Sequence, residues 1–310
     1  MGKDKIKLAI NDLNRLNNDF FKNYNIDYWL YKICILKECH DNSEKLFNSM
    51  TKDLIDVDIE DFKKSIRLEL HFLYFHLIET LFTLYFTVCK FSTNELWLAL
   101  AFSKDRETYF YLDIYNMIKE FAEGKISNVD LSRIIKVKFG GKEEEMTLLK
   151  YAFYFLHSDN LSKTEWTKNH DNIKKTLSIF AKDFTDRAEY NAYKHSLKMY
   201  HSIFKLTFGG KLLGQSRDAI NVLERQVEKK DNGIKKTERV VITTKPFNFE
   251  RDYKCCMFIT QLIHNIINSR KHVYLKELHK KKFTLYYFHK GFNYKDYLWK
   301  TGTIRSSFTI

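Results

Sequence analysis

Residues 59–90 read IEDFKKSIRLELHFLYFHLIETLFTLYFTVCK, and this stretch decides the fold. It opens polar and turns apolar on every side after Leu68, the pattern of a helix enclosed by others rather than one lying on a surface. The acidic segment that leads into it, DVDIEDF at 56–62, supplies carboxylates to cap the first turn. Its length suits a bilayer, yet Glu69, His71, His76 and Glu79 would then sit in hydrocarbon, at roughly several kcal/mol each. A buried helix is the expectation, without membrane contact.

The neighbouring segments extend the helical reading. Ile6, Ile10, Leu13, Leu16 and Phe20 recur every three or four residues over 5–24, and Tyr28–Cys39 forms an aromatic-rich piece. Residues 106–123 continue as helix, stopped at Gly124. A short helix is expected over 127–137, and another runs from the acidic GluGluGluMet to His157. One or two long helices are expected over 163–204. The two GlyGlyLys segments, at 140–142 and 209–211, read as turns, because a phosphate-binding loop needs Gly-x4-Gly-Lys-Ser/Thr. After them the period changes. Glu238–Thr244, ERVVITT, is the best strand, Phe249–Lys271 returns to helix, and Phe283–His289 reads as a further strand.

Composition agrees. A single proline, Pro246, and ten glycines in 310 residues exclude a turn-rich sandwich, while 44% hydrophobic residues suffice for a substantial core. The expected fold is mainly α, a helical bundle forming one domain over 1–310, with a small β-hairpin-like insertion at 205–246. Five cysteines without regular spacing argue against a disulfide framework and for a reducing, cytoplasmic setting. The amphipathic start lacks the apolar core of a secretory signal, and Ile6 stands where myristoylation wants Ser or Thr. A formal charge of +13 points to RNA or a nucleotide as partner, although an AT-rich coding bias toward lysine produces the same excess.

The segment with chemistry is TDRAEYNAYKHSLKMY, 185–200. On a helix, residues four apart lie about 40° apart around the axis, so Arg187, Asn191 and His195 form one stripe and Tyr190, Lys194 and Lys198 a second. An imidazole can take the proton of a 2′-hydroxyl, an Arg or Lys can hold charge growing on phosphate, and Asn can orient the reacting group, with no cofactor and no metal. The structural alternative is that Asn191 and His195 pin the helix through buried hydrogen bonds. Arg67, Glu69, His71, His76 and Glu79 form a second constellation, in which Glu69, His76 and Glu79 share a face. Glu69 or Glu79 facing the 187–195 stripe would complete a polar layer.

TyrAsnAlaTyrLysHis, 190–195, resembles the YNxxKH signature of HEPN-like proteins. The resemblance implies a helical bundle and a metal-independent endoribonuclease or RNA-binding effector of bacterial defence or toxin systems. It further implies a homodimer whose active site forms between protomers, and a partner protein of the same system. Under it, His195 is general base or acid, Lys194 and Arg187 hold phosphate charge, and Asn191 positions the substrate. Arg187 and His195 stand further apart than in catalytically competent members. A scaffold protein using the same polar layer is the second reading. A metal-binding four-helix bundle is the third, although it asks for Glu-x-x-His where this chain has His-x-x-Glu once. Cys255 and Cys256, which follow an Arg-Asp pair, read as a buried pair of small residues.

Overall fold

The computed structural model describes residues 10–52, 56–91, 96–107, 109, 111–125, 129–139, 142–155, 161–194, 198–208, 211–229, 236–275, 285–298 and 304–309. The protein is mainly α. The long helix expected at 59–90 is α4, Ile59–Phe91, preceded by α1 (Ile10–Asn23), α2 (Tyr28–Asp41) and α3 (Ser43–Met50). Asp58 caps α4: its carboxylate accepts the Glu60 N–H at 3.0 Å and its carbonyl accepts that of Phe62 at 3.1 Å. By length and composition an apolar window of α4 could cross a membrane, and 72% of that window is buried within the protein.

The chain forms two compact units, each assembled from three separated segments. The first takes residues 1–31, 76–185 and 257–297; the second takes 32–75, 186–256 and 298–310. Helix α4 and the later α10 (Phe249–Leu275) each contribute to both, so no linker composition marks the division.

The first unit packs α1, the second half of α4, α5 (Leu96–Phe102), α6 (Ile114–Ala122), α7 (Leu148–Phe153), α8 (Lys163–Thr185) and the later part of α10. Helix α6 begins only at Ile114, capped by Asp113, where helix was expected from 106, and it stops before Gly124 as the sequence suggests. Gly124 sits at φ +69° and donates to the Phe121 carbonyl at 3.1 Å, while the Lys125 N–H reaches the Glu120 carbonyl at 2.9 Å. Helix α8 starts on a reciprocal cap. The Glu165 N–H reaches Ser162 Oγ at 3.3 Å, and Glu165 Oε2 takes the Ser162 N–H at 3.0 Å.

Three further expectations for this unit are corrected. The helix over 127–137 gives way to β1, Ile134–Phe139, paired antiparallel with β2, Lys142–Thr147, so the helix expected after the acidic run begins only at Leu148. IleLysValLysPhe alternates with period two, and Lys136 faces Glu145 at 3.5 Å, charge pairing that a strand gains across the ladder. The glycines joining β1 to β2 lie outside the described residues. Third, the described residues 285–289 of the expected strand at 283–289 contain no strand. Their backbone groups are met by side chains instead. Asn265 binds both the N–H and the carbonyl of Tyr286 at 2.9 Å, and Asn169 and Asn172 take the N–H and carbonyl of Phe288 at 2.6 Å. The half-buried segment, with Phe288 buried, is thus held without a strand pairing.

The second unit holds a four-stranded antiparallel sheet in the order β3-β4-β5-β6: Met199–Phe208, Lys211–Lys229, Lys236–Pro246 and Ile304–Thr309. Strand β5 contains the ERVVITT segment. The sheet exceeds the hairpin expected at 205–246 at both ends. Residues 199–204, expected as helix, are strand, because Tyr, Ile and Phe favour a pleated surface and find β4 opposite. Strand β6 joins β5 from the end of the chain. Ile220, Val222, Val241, Thr243 and Lys245 share the buried face.

Arg270 is fully buried and donates to the Ala152 and Tyr151 carbonyls at 2.9 and 3.1 Å, closing the last turn of α7. Arg270→Met strands both acceptors. In denaturant unfolding the variant is expected to lose about 3 kcal/mol or more, against a change within about 0.5 kcal/mol for the exposed control Lys295→Met.

Candidate functional site

Helix α9, Ala188–Lys194, carries most of the sequence-predicted site residues and belongs to the second unit. Two tyrosines seat it on α4. Tyr190 is buried and stacks on Phe75 at 5.7 Å; Tyr193 stacks on Phe72 at 4.0 Å and donates from its hydroxyl to Glu69 at 3.3 Å. That leaves Asn191 and Lys194 exposed, the Lys194 ammonium lying 4.3 Å from the Tyr190 ring centre. Arg187 is half-buried just before the helix, and its carbonyl accepts the Asn191 N–H at 3.0 Å. His195 lies outside the described residues.

The second constellation separates. Arg67 binds Asp218 at 2.7 Å, and Glu69 pairs with Lys32 at 3.3 Å besides its bond from Tyr193. His76 and Glu79 fall in the first unit, where exposed His76 lies 5.1 Å from the Trp29 ring. Glu69, His76 and Glu79 stay on one continuous helix, α4, with Glu69 in the second unit and His76 and Glu79 in the first.

The polar layer forms instead around His71, with partners that the sequence reading missed. His71 Nδ1 lies 2.8 Å from Asp252 and its Nε2 4.0 Å from Glu189. The other Glu189 oxygen takes a hydrogen bond from Lys245 Nζ at 2.8 Å, and Lys245 also donates to the carboxylate of Asp186 at 2.7 Å and its carbonyl at 2.9 Å. At the far end Arg251 reaches Asp252 at 3.3 Å and the Tyr74 hydroxyl at 3.3 Å. The result is a line of ionisable groups, Asp186–Lys245–Glu189–His71–Asp252–Arg251, closed over by the His71 stack on Phe247 at 4.9 Å. Burial pushes the Glu189 carboxyl up, further than Lys245 and His71 draw it down. Burial pushes the Lys245 ammonium down, but Glu189 and Asp186 outweigh it and the net shift is up. Cys256, beside this line, is pushed well up by burial and by Asp252, and Cys255 is fully buried. The cysteines are packing groups there rather than nucleophiles.

Nothing local marks these partners. Lys245 sits in ThrThrLysPro with its side chain on the inward parity of β5, a signal that needs the strand register first. Glu189 lies beside Tyr190, so a buried Tyr on one side of a short helix was the available hint.

A groove of about 700 Å³ opens between α9 and β4. Ala188, Asn191, Ala192 and Lys198 line one side, and residues 222–225 with Val240 line the other. The volume is that of a small-molecule or single-nucleotide site. Among the described residues no group of three or more His, Cys, Asp or Glu side chains is arranged to hold a metal ion. No family model, curated protein or solved structure matches the chain.

Removing the central cation tests the buried line. Between the ordinary carboxylate value and its raised folded value, Glu189 binds a proton more tightly in the folded chain, so stability falls as pH rises through that window. Lys245→Met widens the window upward. The variant is expected to lose about 3–5 kcal/mol at neutral pH, with the deficit growing as pH rises above the ordinary carboxylate range in thermal or denaturant unfolding.

Proposed function

We propose that this protein is a HEPN-like RNA-acting effector, a metal-independent endoribonuclease of a bacterial defence or toxin system, working in the cytoplasm as a homodimer of helical-bundle protomers that carry a β insertion. One observation carries the reading. Helix α9 is anchored by Tyr190 and Tyr193 and turns Asn191 into an open groove beside Lys198 and Arg225, on a chain of formal charge +13. The segment that resembles the family signature is the one that borders this basic groove.

The chemistry follows from the groups. His195 removes the 2′-hydroxyl proton, the oxygen attacks the adjacent phosphorus, and the 5′-oxygen leaves with a proton returned by the imidazolium. Lys194 and Arg187 hold the charge that builds on the phosphate oxygens, and Asn191 orients the reacting group. Lys194 is exposed, with its ammonium over the Tyr190 ring.

A second reading, a binding or scaffold protein that does not cleave, is favoured by the burial of Glu189 and Tyr190 in the same short helix. Cleavage of labelled single-stranded RNA by the purified chain separates the two. His195→Ala and Lys194→Ala are each expected to lower the rate by about 10²-fold or more, with thermal unfolding unchanged. An inactive wild-type chain, or variants that cleave at the wild-type rate, overturns the nuclease reading.

A further inference from the structure

In the second unit the first half of α4 meets the sheet at a cluster of ionisable groups that has no part in the cleavage chemistry. Arg67 binds Asp218 through Nε at 2.7 Å, and among the described residues its two terminal nitrogens have no partner. A guanidinium tied by Nε presents its far end, N–H groups side by side, to a ligand. Asp218 is itself fixed. Ile203 on β3 stands opposite both Arg217 and Asp218 on β4, a β-bulge, and Ser216 Oγ accepts the Asp218 N–H at 3.2 Å and donates to its carbonyl at 3.1 Å.

Two more groups face the same place. Lys64 lies one turn before Arg67 on the same side of α4, and among the described residues its partner is the exposed Asp61, at 2.9 Å. A surface pair of this kind holds weakly, so the ammonium is able to exchange Asp61 for a better anion. His201 on β3 pairs with Ile220, so its ring leaves the sheet on the face of that buried residue, toward α4. Among the described residues the half-buried ring makes no hydrogen bond. Burial and then Lys64 draw the imidazole pKa down, with Arg67 adding to them and Asp61 and Asp218 opposing, so the ring is neutral near pH 7.

Shape selects the anion. A carboxylate has two oxygens, both taken up by the Arg67 fork, and would leave Lys64 and His201 idle. A tetrahedral phosphate carries oxygens for the fork, the ammonium and the imidazole together. The approach of its charge also reverses the pressure that keeps the ring neutral.

We infer that Arg67, Lys64 and His201 form a phosphate-binding site on the second unit, with Asp218 positioning the guanidinium. His201 takes up a proton from solvent as the anion binds. Inorganic phosphate and a phosphate of an RNA strand present the same oxygens, and either is a source. The site uses none of the residues assigned to cleavage and does not rest on that reading.

The test titrates the full-length chain with sodium phosphate, sodium acetate or heptauridylate at constant ionic strength. NMR follows the C2 proton of His201, assigned by its loss in His201→Gln. Phosphate is expected to saturate one site and to raise the proton affinity of His201 at least about tenfold, whereas acetate leaves it nearly unchanged. Lys64→Ala, and Arg67→Lys, which keeps the charge and loses the fork, are each expected to weaken phosphate at least about tenfold. The exposed control Lys295→Ala is expected to bind as the wild type does. Heptauridylate that displaces inorganic phosphate assigns the site to RNA, and phosphate that stays bound in its presence assigns it to the free anion. Absence of saturable phosphate binding overturns the inference. So does acetate binding as tight as phosphate, a His201 titration that phosphate leaves in place, or wild-type affinity in Lys64→Ala and Arg67→Lys.

Discussion

Lys245 makes three hydrogen bonds from one ammonium, and they are what place α9. Two go to Asp186, immediately before the helix, and one to Glu189 in its first turn. A strand is thereby tied to the head of a seven-residue helix that is too short to persist without tertiary contacts. The same line of charge continues through His71 to Asp252 and Arg251, so α4, α9, α10 and β5 meet at one chain of buried ionisable groups. Burying so many charges is costly, and the compensation is close pairing of opposite signs. Removing one member leaves its neighbours charged in a low-dielectric interior.

The tether has a consequence for the surface above it. With Glu189 and Tyr190 fixed inward, helical geometry leaves Asn191 and Lys194 no choice but to face outward. The inner side of α9 is packed and its outer side is exposed and polar. The first unit solves its own polar burial differently. Asn169, Asn172 and Asn265 stand in for a missing strand, and Arg270 closes a helix end by donating to two carbonyls.

Much of this was legible in the sequence because it is periodic. Helices α4, α8 and α10 announce themselves by their apolar recurrence, α6 by Gly124, and β5 by its β-branched run. The two stripes read over 187–198 divide differently in the fold: Asn191 and Lys194, from different stripes, are both exposed, while Tyr190 of the second stripe is buried. The misses have a common cause. Strands β1 and β3 were absorbed into helices because their partners lie across turns, and a ladder is not visible until both strands are aligned. Segment 285–289 has a strand's composition and an amide clamp in place of a partner. Glu189 and Lys245 lie 56 residues apart, and no local pattern couples them.

The most direct measurement is a double-mutant cycle on that pair. Lys245→Met, Glu189→Gln and the double variant are unfolded in denaturant near neutral pH, and the coupling is taken from the difference. A tether of the kind described predicts a coupling of about 2 kcal/mol or more, with the double variant more stable than Lys245→Met alone. A coupling below about 0.5 kcal/mol, with the two losses simply adding, would contradict it.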